Sequence, residues 1–302
     1  MNILNTRYAS KEFADKIWPD FYSKFRSETS IASYQTDLSE FLNFIRKDFL
    51  NIDQHDIDLY FSYLTTKVEE GTIKPNTMAK KFRELHSVAA YIERHIEHYS
   101  IPDGFEDYFY SYLLQVAKVE DLAKTIPAGH IDRLLEASSE DHMFFCMLTL
   151  IFRVGLSSTE LIELKPGDFS EYDNGVFVFI ENRKEWCYVP EDAANILTGY
   201  LNERQYNEYL FYNTKGNKLN VMYVSRLMKK WCRKAGIPEY SAQSLRGACA
   251  NTMFSYGATS EQVAKQMGVT PIQIKRYKNI KYKNELLSNA GKLVKIKVEM
   301  PD

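Results

Sequence analysis

The sequence predicts a mainly α-helical chain of two domains, with a small β-hairpin or sheet set into the second. Three observations carry that prediction. Apolar residues recur at three- and four-residue spacing through most of the 302 residues, as amphipathic helices require. One stretch, "GVFVFIENRKEWCYVP" (175–190), replaces that period with two β-rich runs around a polar turn. "TIPAGH" (125–130), with Pro127 and Gly129, punctuates the helical run and reads as the entry to a second domain. The length suffices for two domains that each bury a core. We therefore expect a helical domain over residues 1–118, a linker over 119–127 and a second domain over 128–302.

The elements follow in order. "SIASYQTDLSEFLNFIRKDF" (30–49) sets Ile31, Tyr34, Leu38, Phe41, Leu42 and Ile45 on one stripe, with Thr29 or Ser30 as the N-cap. "DQHDIDLYFSYLTTKVEEG" is a second helix that stops near Gly71. "KPNTMAKKFRELHSVAAYIERHI" is a third: Pro75 and Asn76 mark its start and Met78, Phe82, Leu85, Val88, Ala89 and Ile92 form its apolar side. Lys80, Lys81 and Arg83 are expected mostly off that side. "DGFEDYFYSYLLQVAKVEDLAK" (103–124) is expected to add a helix running toward the linker. Beyond it, "HIDRLLEAS" and "DHMFFCMLTLIFRVG" read as helices, the latter apolar nearly all round and so buried. After the hairpin, "EDAANILTGYLNERQ" resumes the helical pattern, which dominates to the end.

Composition excludes several classes. The chain is 45% hydrophobic and 26% charged, ordinary for a globular protein. No apolar run approaches the roughly 20 residues of a membrane span. The N-terminal stretch has no apolar core followed by a small-residue cleavage site, so no signal peptide is expected, and the expected location is the cytoplasm. Cys146, Cys187, Cys232 and Cys249 never form CxxC, which fits buried thiols better than a metal site or a disulfide framework. Net charge is −2, but its distribution is uneven: Arg226 to Asp302 holds 15 Lys+Arg against 5 Asp+Glu, so a local net of +10 leaves −12 for the rest. Such asymmetry suits one face meeting a polyanion.

"VGLSSTELIELKPGDF" and "QSLRGACANTMFSYG" carry the most specific signal. The first resembles a Thr-Gly-Leu-Arg stretch followed by Glu-Leu and Leu, and the second resembles His-x-Leu-Arg and a helix ending in Gly. These are the two signatures of the tyrosine recombinase (phage integrase) family. The eleven-residue intervals from Arg246 to Gly257 and from Gly257 to Gly268 match its spacing, and the N-terminal helices resemble its core-binding domain. A narrower similarity, spread over the chain, is to the integrase-like lysogeny repressors of temperate Bacillus phages of the SP-beta type.

The resemblance implies two arginines, a lysine and two His or His/Trp residues around a scissile phosphate, attacked by a tyrosine. The chemistry needs that set: added charge in the transition state calls for aimed guanidiniums, and the leaving oxygen and the phenol need proton transfer. Here the first arginine position is Ser157, with Arg153 one helical turn earlier. The first histidine position is Gln243, which donates a hydrogen bond but cannot shuttle a proton. The His/Trp position is Val269. Arg246, expected at the start of a helix, retains the second arginine. Tyr277 matches the nucleophile, and Lys184, with Arg183 as a rival, matches the hairpin lysine. Each lost donor costs roughly 10²–10³ in rate and each lost acid or base roughly 10²–10⁴. The sequence expectation is therefore a protein that is not an enzyme: a sequence-specific DNA-binding regulator, a phage or prophage repressor without recombinase activity. Its DNA-binding residues are expected to be Lys80, Lys81, Arg83, Lys184, Arg246, Lys275, Arg276, Lys278 and Lys281. The alternatives are a divergent active recombinase using Tyr277 and an architectural DNA-bending protein. Double-stranded operator DNA is the expected partner, with self-association or a protein antirepressor as further candidates; no metal or other cofactor is implied.

Overall fold

The computed structural model describes residues 4–25, 27–116, 126–274 and 277. Its contacts gather into two compact units, Met1–Glu120 and Asp121–Asp302. The expected linker falls largely outside the described residues. No helix among the described residues is long and apolar enough to cross a membrane.

The first unit is helical. A wide π-turn, Phe13–Ile17, leads into α1 (Trp18–Tyr22). In α2 (Glu28–Ile45) the cap is Ser27, whose side chain accepts from Ser30 N, so the helix starts ahead of the expected Thr29 or Ser30 cap. It stops at Ile45 because Arg46 turns left-handed at φ 56°. Asp53 and Asp56 form a reciprocal capping box at the start of α3 (Gln54–Glu69). Pro75 opens α4 (Pro75–Arg94), where its missing N–H costs nothing. Phe13, Phe41, Phe49, Tyr60, Phe82 and Phe109 are fully buried at the centre of this unit.

The helix expected from residue 103 does not form in its described part, which holds only a short 3-10 turn, Tyr110–Tyr112. Tertiary hydrogen bonds outcompete local helix bonding there. Asp107 N donates to Glu93 at 2.7 Å and the Tyr112 hydroxyl bonds to Asp58, while locally the Asp107 side chain accepts from Phe109 N at 3.1 Å.

The second unit begins with α5 (Ala128–Ser138), α6 (His142–Thr149) and α7 (Ser158–Glu163). A three-stranded antiparallel sheet follows: β1 (Phe169–Tyr172), β2 (Gly175–Ile180) and β3 (Glu185–Val189), in that order. The expected hairpin is β2–β3, in register from Val176↔Val189 to Ile180↔Glu185. β1 was not expected, because "FSEY" lacks a β-rich run; it forms by pairing with β2 from Phe169↔Val178 to Tyr172↔Gly175. Then come α8 (Glu191–Glu203), α9 (Val221–Lys234), α10 (Ala242–Ser255), α11 (Ser260–Met267) and the short α12 (Pro271–Ile274). The main core joins α5–α9 to the inner face of the sheet. A smaller cluster holds Cys249, Phe254, Val263, Met267, Ile274 and Tyr277. All four cysteines are buried and free.

Candidate phosphate and nucleic-acid site

The loop before α7 sets the floor of the site. α6 widens into a π-turn, Leu150–Val154, which Gly155 ends in the left-handed region at φ 79°. A Cβ at Gly155 would meet Met267 Sδ at 2.7 Å, so the loop packs here only without a side chain. Two residues on, Ser157 caps α7 in a capping box with Glu160. Its N–H and hydroxyl both donate to Glu160 Oε2, at 2.7 and 2.8 Å. Arg153 faces elsewhere and pairs with Asp192 at 2.7 Å.

The hairpin turn delivers a guanidinium to this floor. Between Ile180 and Glu185 the chain turns through four residues, and Lys184 takes the left-handed conformation at φ 55°. Neighbouring side chains then diverge. Lys184 is 72% exposed and pairs with Glu181, so the expected match to the family lysine does not reach the site. Arg183 turns inward. Its Nε donates to Glu160 Oε1 at 2.5 Å, Nη2 to Glu160 Oε2 at 2.6 Å and Nη1 to the Gln266 carbonyl at 2.7 Å. Gly268, at φ 59°, leaves the space Arg183 fills: a Cβ there would lie 2.6 Å from Arg183 Cζ and closer still to Nε. Burial works to raise the Glu160 carboxyl, but the hydrogen bonds from Arg183 and Ser157 outweigh it and hold the group below its ordinary value.

Arg246 comes from α10. Ser241 caps that helix by accepting from Ser244 N, so Arg246 is the fifth helical residue, one turn in from the helix start where the sequence placed it. The residue is 7% exposed. Nε donates to the Gly155 carbonyl at 2.7 Å and Nη2 to the Met267 carbonyl. Nη1 has no hydrogen-bond partner among the described residues. Burial, with Arg183 nearby, lowers its pKa, yet a guanidinium remains charged at neutral pH. Arg183 and Arg246 thus sit on consecutive carbonyls, Gln266 and Met267, at the negative end of α11.

One turn before Arg246 on the same helix, Gln243 Nε2 donates to the Tyr277 hydroxyl at 2.7 Å. Tyr277 is 4% exposed and packs in the small cluster, with Val269 partly buried beside it. The structure therefore brings Ser157, Gln243, Arg246 and Tyr277 to one place, together with Arg183 and Glu160. Beside them lies a groove of about 590 Å³ lined by Arg183, Lys265, Gly268, Val269 and Gln273 among others. Among the described residues no His, Cys, Asp or Glu cluster could hold a metal ion.

The other expected DNA contacts divide. In the first unit Arg83 is exposed. Lys80 is half-exposed and bonds Asp37 at 2.7 Å and Glu84 at 3.1 Å. Lys81 is a correction: 7% exposed, it binds Asp37 at 2.7 Å and Glu40 at 2.8 Å, and its charge is spent inside the unit. Lys275, Arg276, Lys278 and Lys281 lie outside the described residues. Sequence reasoning missed Glu160 and the exposed cations of α9. The signal for Glu160 was present as Ser-x-x-Glu before an apolar run. The signal for α9 was the spacing of Arg226, Lys229, Lys230, Arg233 and Lys234, one face opposite buried Val224, Leu227, Met228, Trp231 and Cys232.

Residues 124–283 match the model of the Phage integrase family. The chain is similar to a Staphylococcus aureus protein named tyrosine recombinase XerC, 26% identical over 80% of this chain and 82% of the relative. A Caldanaerobacter subterraneus XerC is 26% identical over 78% and 72%. Among solved structures, XerH recombinase bound to a palindromic difH substrate aligns with a TM-score of 0.68 at 18% identity, over 87% of this chain and 79% of that one. A lambda integrase dimer bound to a COC′ core site aligns at 0.65 and 15% identity, over 88% and 93%. The expectation that this protein is not an enzyme is overturned: the named relatives are recombinases. Substituted residues alone are too weak a ground, since a fold can bring a lost group's chemistry from elsewhere in the chain.

Proposed function

This chain belongs to the phage integrase family, and from that premise we propose that it is a site-specific tyrosine recombinase that binds duplex DNA and transfers a strand to Tyr277. The observation that carries the reading is the Gln243–Tyr277 hydrogen bond of 2.7 Å, on the same face of α10 as the buried guanidinium of Arg246. In this reading a backbone phosphate lies against Arg246 Nη1. The phenolic oxygen attacks phosphorus, a P–O(Tyr) bond forms, and the P–O bond to the leaving strand breaks. Gln243 orients the phenol by donating to its oxygen. It takes no proton, so the phenolic proton passes to water or a phosphate oxygen, and water protonates the leaving oxygen. Arg246 stabilises charge added to the phosphorane. The exposed cations of α9 and Arg83 would hold flanking phosphates, with residues 1–118 serving as the core-binding part.

A second reading keeps a specific observation in its favour. Ser157, Gln243 and Val269 stand where the resemblance implies Arg, His and His/Trp, which lowers the expected cleavage rate. DNA occupancy at a promoter, as a phage or prophage repressor, would then be the main output.

The test begins with selection of bound duplexes from a random pool. The selected site, carrying a nick, is incubated with the protein and resolved on a denaturing gel. A covalent adduct is expected, lost in Tyr277→Phe while DNA affinity falls by no more than one hydrogen bond's worth, about 0.5–1.5 kcal/mol. An absence of adduct on a tightly bound site refutes strand transfer and favours occupancy.

A further inference from the structure

We propose that Arg183, delivered from the β2–β3 turn, is the phosphate-binding guanidinium that position 157 lacks. The inference rests on the reading that a backbone phosphate sits against Arg246. Ser157 carries no positive charge to offer that phosphate, and its hydroxyl is committed to Glu160 Oε2 at 2.8 Å. Arg183 Nη2 meets the same oxygen at 2.6 Å. The hydroxyl and the guanidinium therefore share one acceptor, which places Arg183 beside position 157. It also stands beside Arg246, since the two bond the consecutive carbonyls of Gln266 and Met267.

Three features make this a built position. The pair with Glu160 is two-pronged, which fixes the plane of the guanidinium. The side chains are 7% and 10% exposed, so water screens the charge little. Gly268 has neither Cβ nor room for one where Arg183 enters. After its bonds to Glu160 and Gln266, Nη2 retains a second hydrogen without an acceptor among the described residues. A phosphate oxygen can take that hydrogen while Arg246 Nη1 holds another, giving the pair of guanidiniums that a charged phosphorane requires.

The experiment compares Arg183→Ala, Ser157→Arg, Ser157→Arg with Arg183→Ala, and Arg183→Lys. Each is titrated with the selected duplex at several salt concentrations, melted, and assayed for adduct on the nicked site. Arg183→Ala should weaken binding and lower the salt slope by about one. The double variant should recover slope, affinity and melting temperature, because an arginine at 157 reaches the emptied space and Glu160. Ser157→Arg alone should gain nothing, since it meets the charge of Arg183. Should Arg183→Ala not fold, Arg183→Lys decides: it keeps the charge but not the fork, and affinity should fall about tenfold. A folded Arg183→Ala with the parental slope overturns the assignment. So does a stable double variant without recovery, or an Arg183→Lys of parental affinity. The adduct lane answers separately: the expected slope pattern with no adduct in any variant refutes strand transfer and leaves Arg183 as a phosphate ligand.

Discussion

Replacing Gly268 by alanine tests how Arg183 is held. The backbone there is left-handed, φ 59°, which costs an ordinary residue roughly 1–2 kcal/mol. The new Cβ also enters the space of the Arg183 side chain, whose Cζ would be 2.6 Å away. Arg183 cannot slide aside without breaking its bonds to Glu160 and Gln266. Losing one partner of a buried pair costs about 3–5 kcal/mol. The sum is about 4–7 kcal/mol, and a domain of this size loses about 2–4 °C per kcal/mol. The second unit should therefore melt at least about 8 °C lower by differential scanning calorimetry. In an Arg183→Ala background the clash is gone, and the same substitution should cost only the backbone part, about 1–2 kcal/mol. A Gly268→Ala protein that melts within about 2 °C of the parent, or an equal penalty in both backgrounds, would show that Arg183 does not pass over Gly268.

Three further outcomes are expected. Arg246→Ala should lower affinity for specific and nonspecific duplex alike, with a salt slope smaller by about one; it should also destabilise the second unit, because the Gly155 and Met267 carbonyls lose a charged donor. Lys81→Met should lower stability by about 1–3 kcal/mol, since Asp37 keeps Lys80 but loses its buried partner, while the salt slope for DNA stays parental. Acid should weaken the second unit through Glu160. Its carboxyl lies below its ordinary value when folded, held there by Arg183 and Ser157 against the opposing effect of burial. That stabilisation is present above the unfolded value, about 4.3, and is lost as pH falls through the lower folded one. Glu160→Gln should flatten this acid limb in urea titrations run across pH 2–6, and an unchanged limb would place the titrating group elsewhere.

Much of this protein was legible in its sequence because local periodicity carries it. The stripes of α2 and α4 put Ile31, Leu38, Phe41, Met78, Phe82 and Leu85 into the core as the 3.6-residue repeat requires. Two short signatures pointed to Gln243 and Arg246, and the stretch after Gly268 pointed to Tyr277, which the fold hydrogen-bonds to Gln243. Lys81 was legible too, though misread: three residues after Met78 and four before Leu85, it lies on the buried stripe. What it meets there, Asp37 and Glu40, depends on the packing of α2 against α4 and not on α4 itself.

Tertiary structure alone decided the rest, for one physical reason: the deciding bonds join residues far apart in the chain. The segment from 103 is helix-like in composition, yet hydrogen bonds to Glu93 and Asp58 fix it otherwise. Of two adjacent cations in "ENRKE", the sequence could not say which turns inward. The left-handed backbone at Lys184 sends that side chain to solvent. The carboxylate of Glu160, 23 residues away, and the carbonyl of Gln266, 83 residues away, draw Arg183 into the site. A motif compared position by position finds serine where an arginine is expected; the folded chain brings a guanidinium to the same carboxylate from the β2–β3 turn.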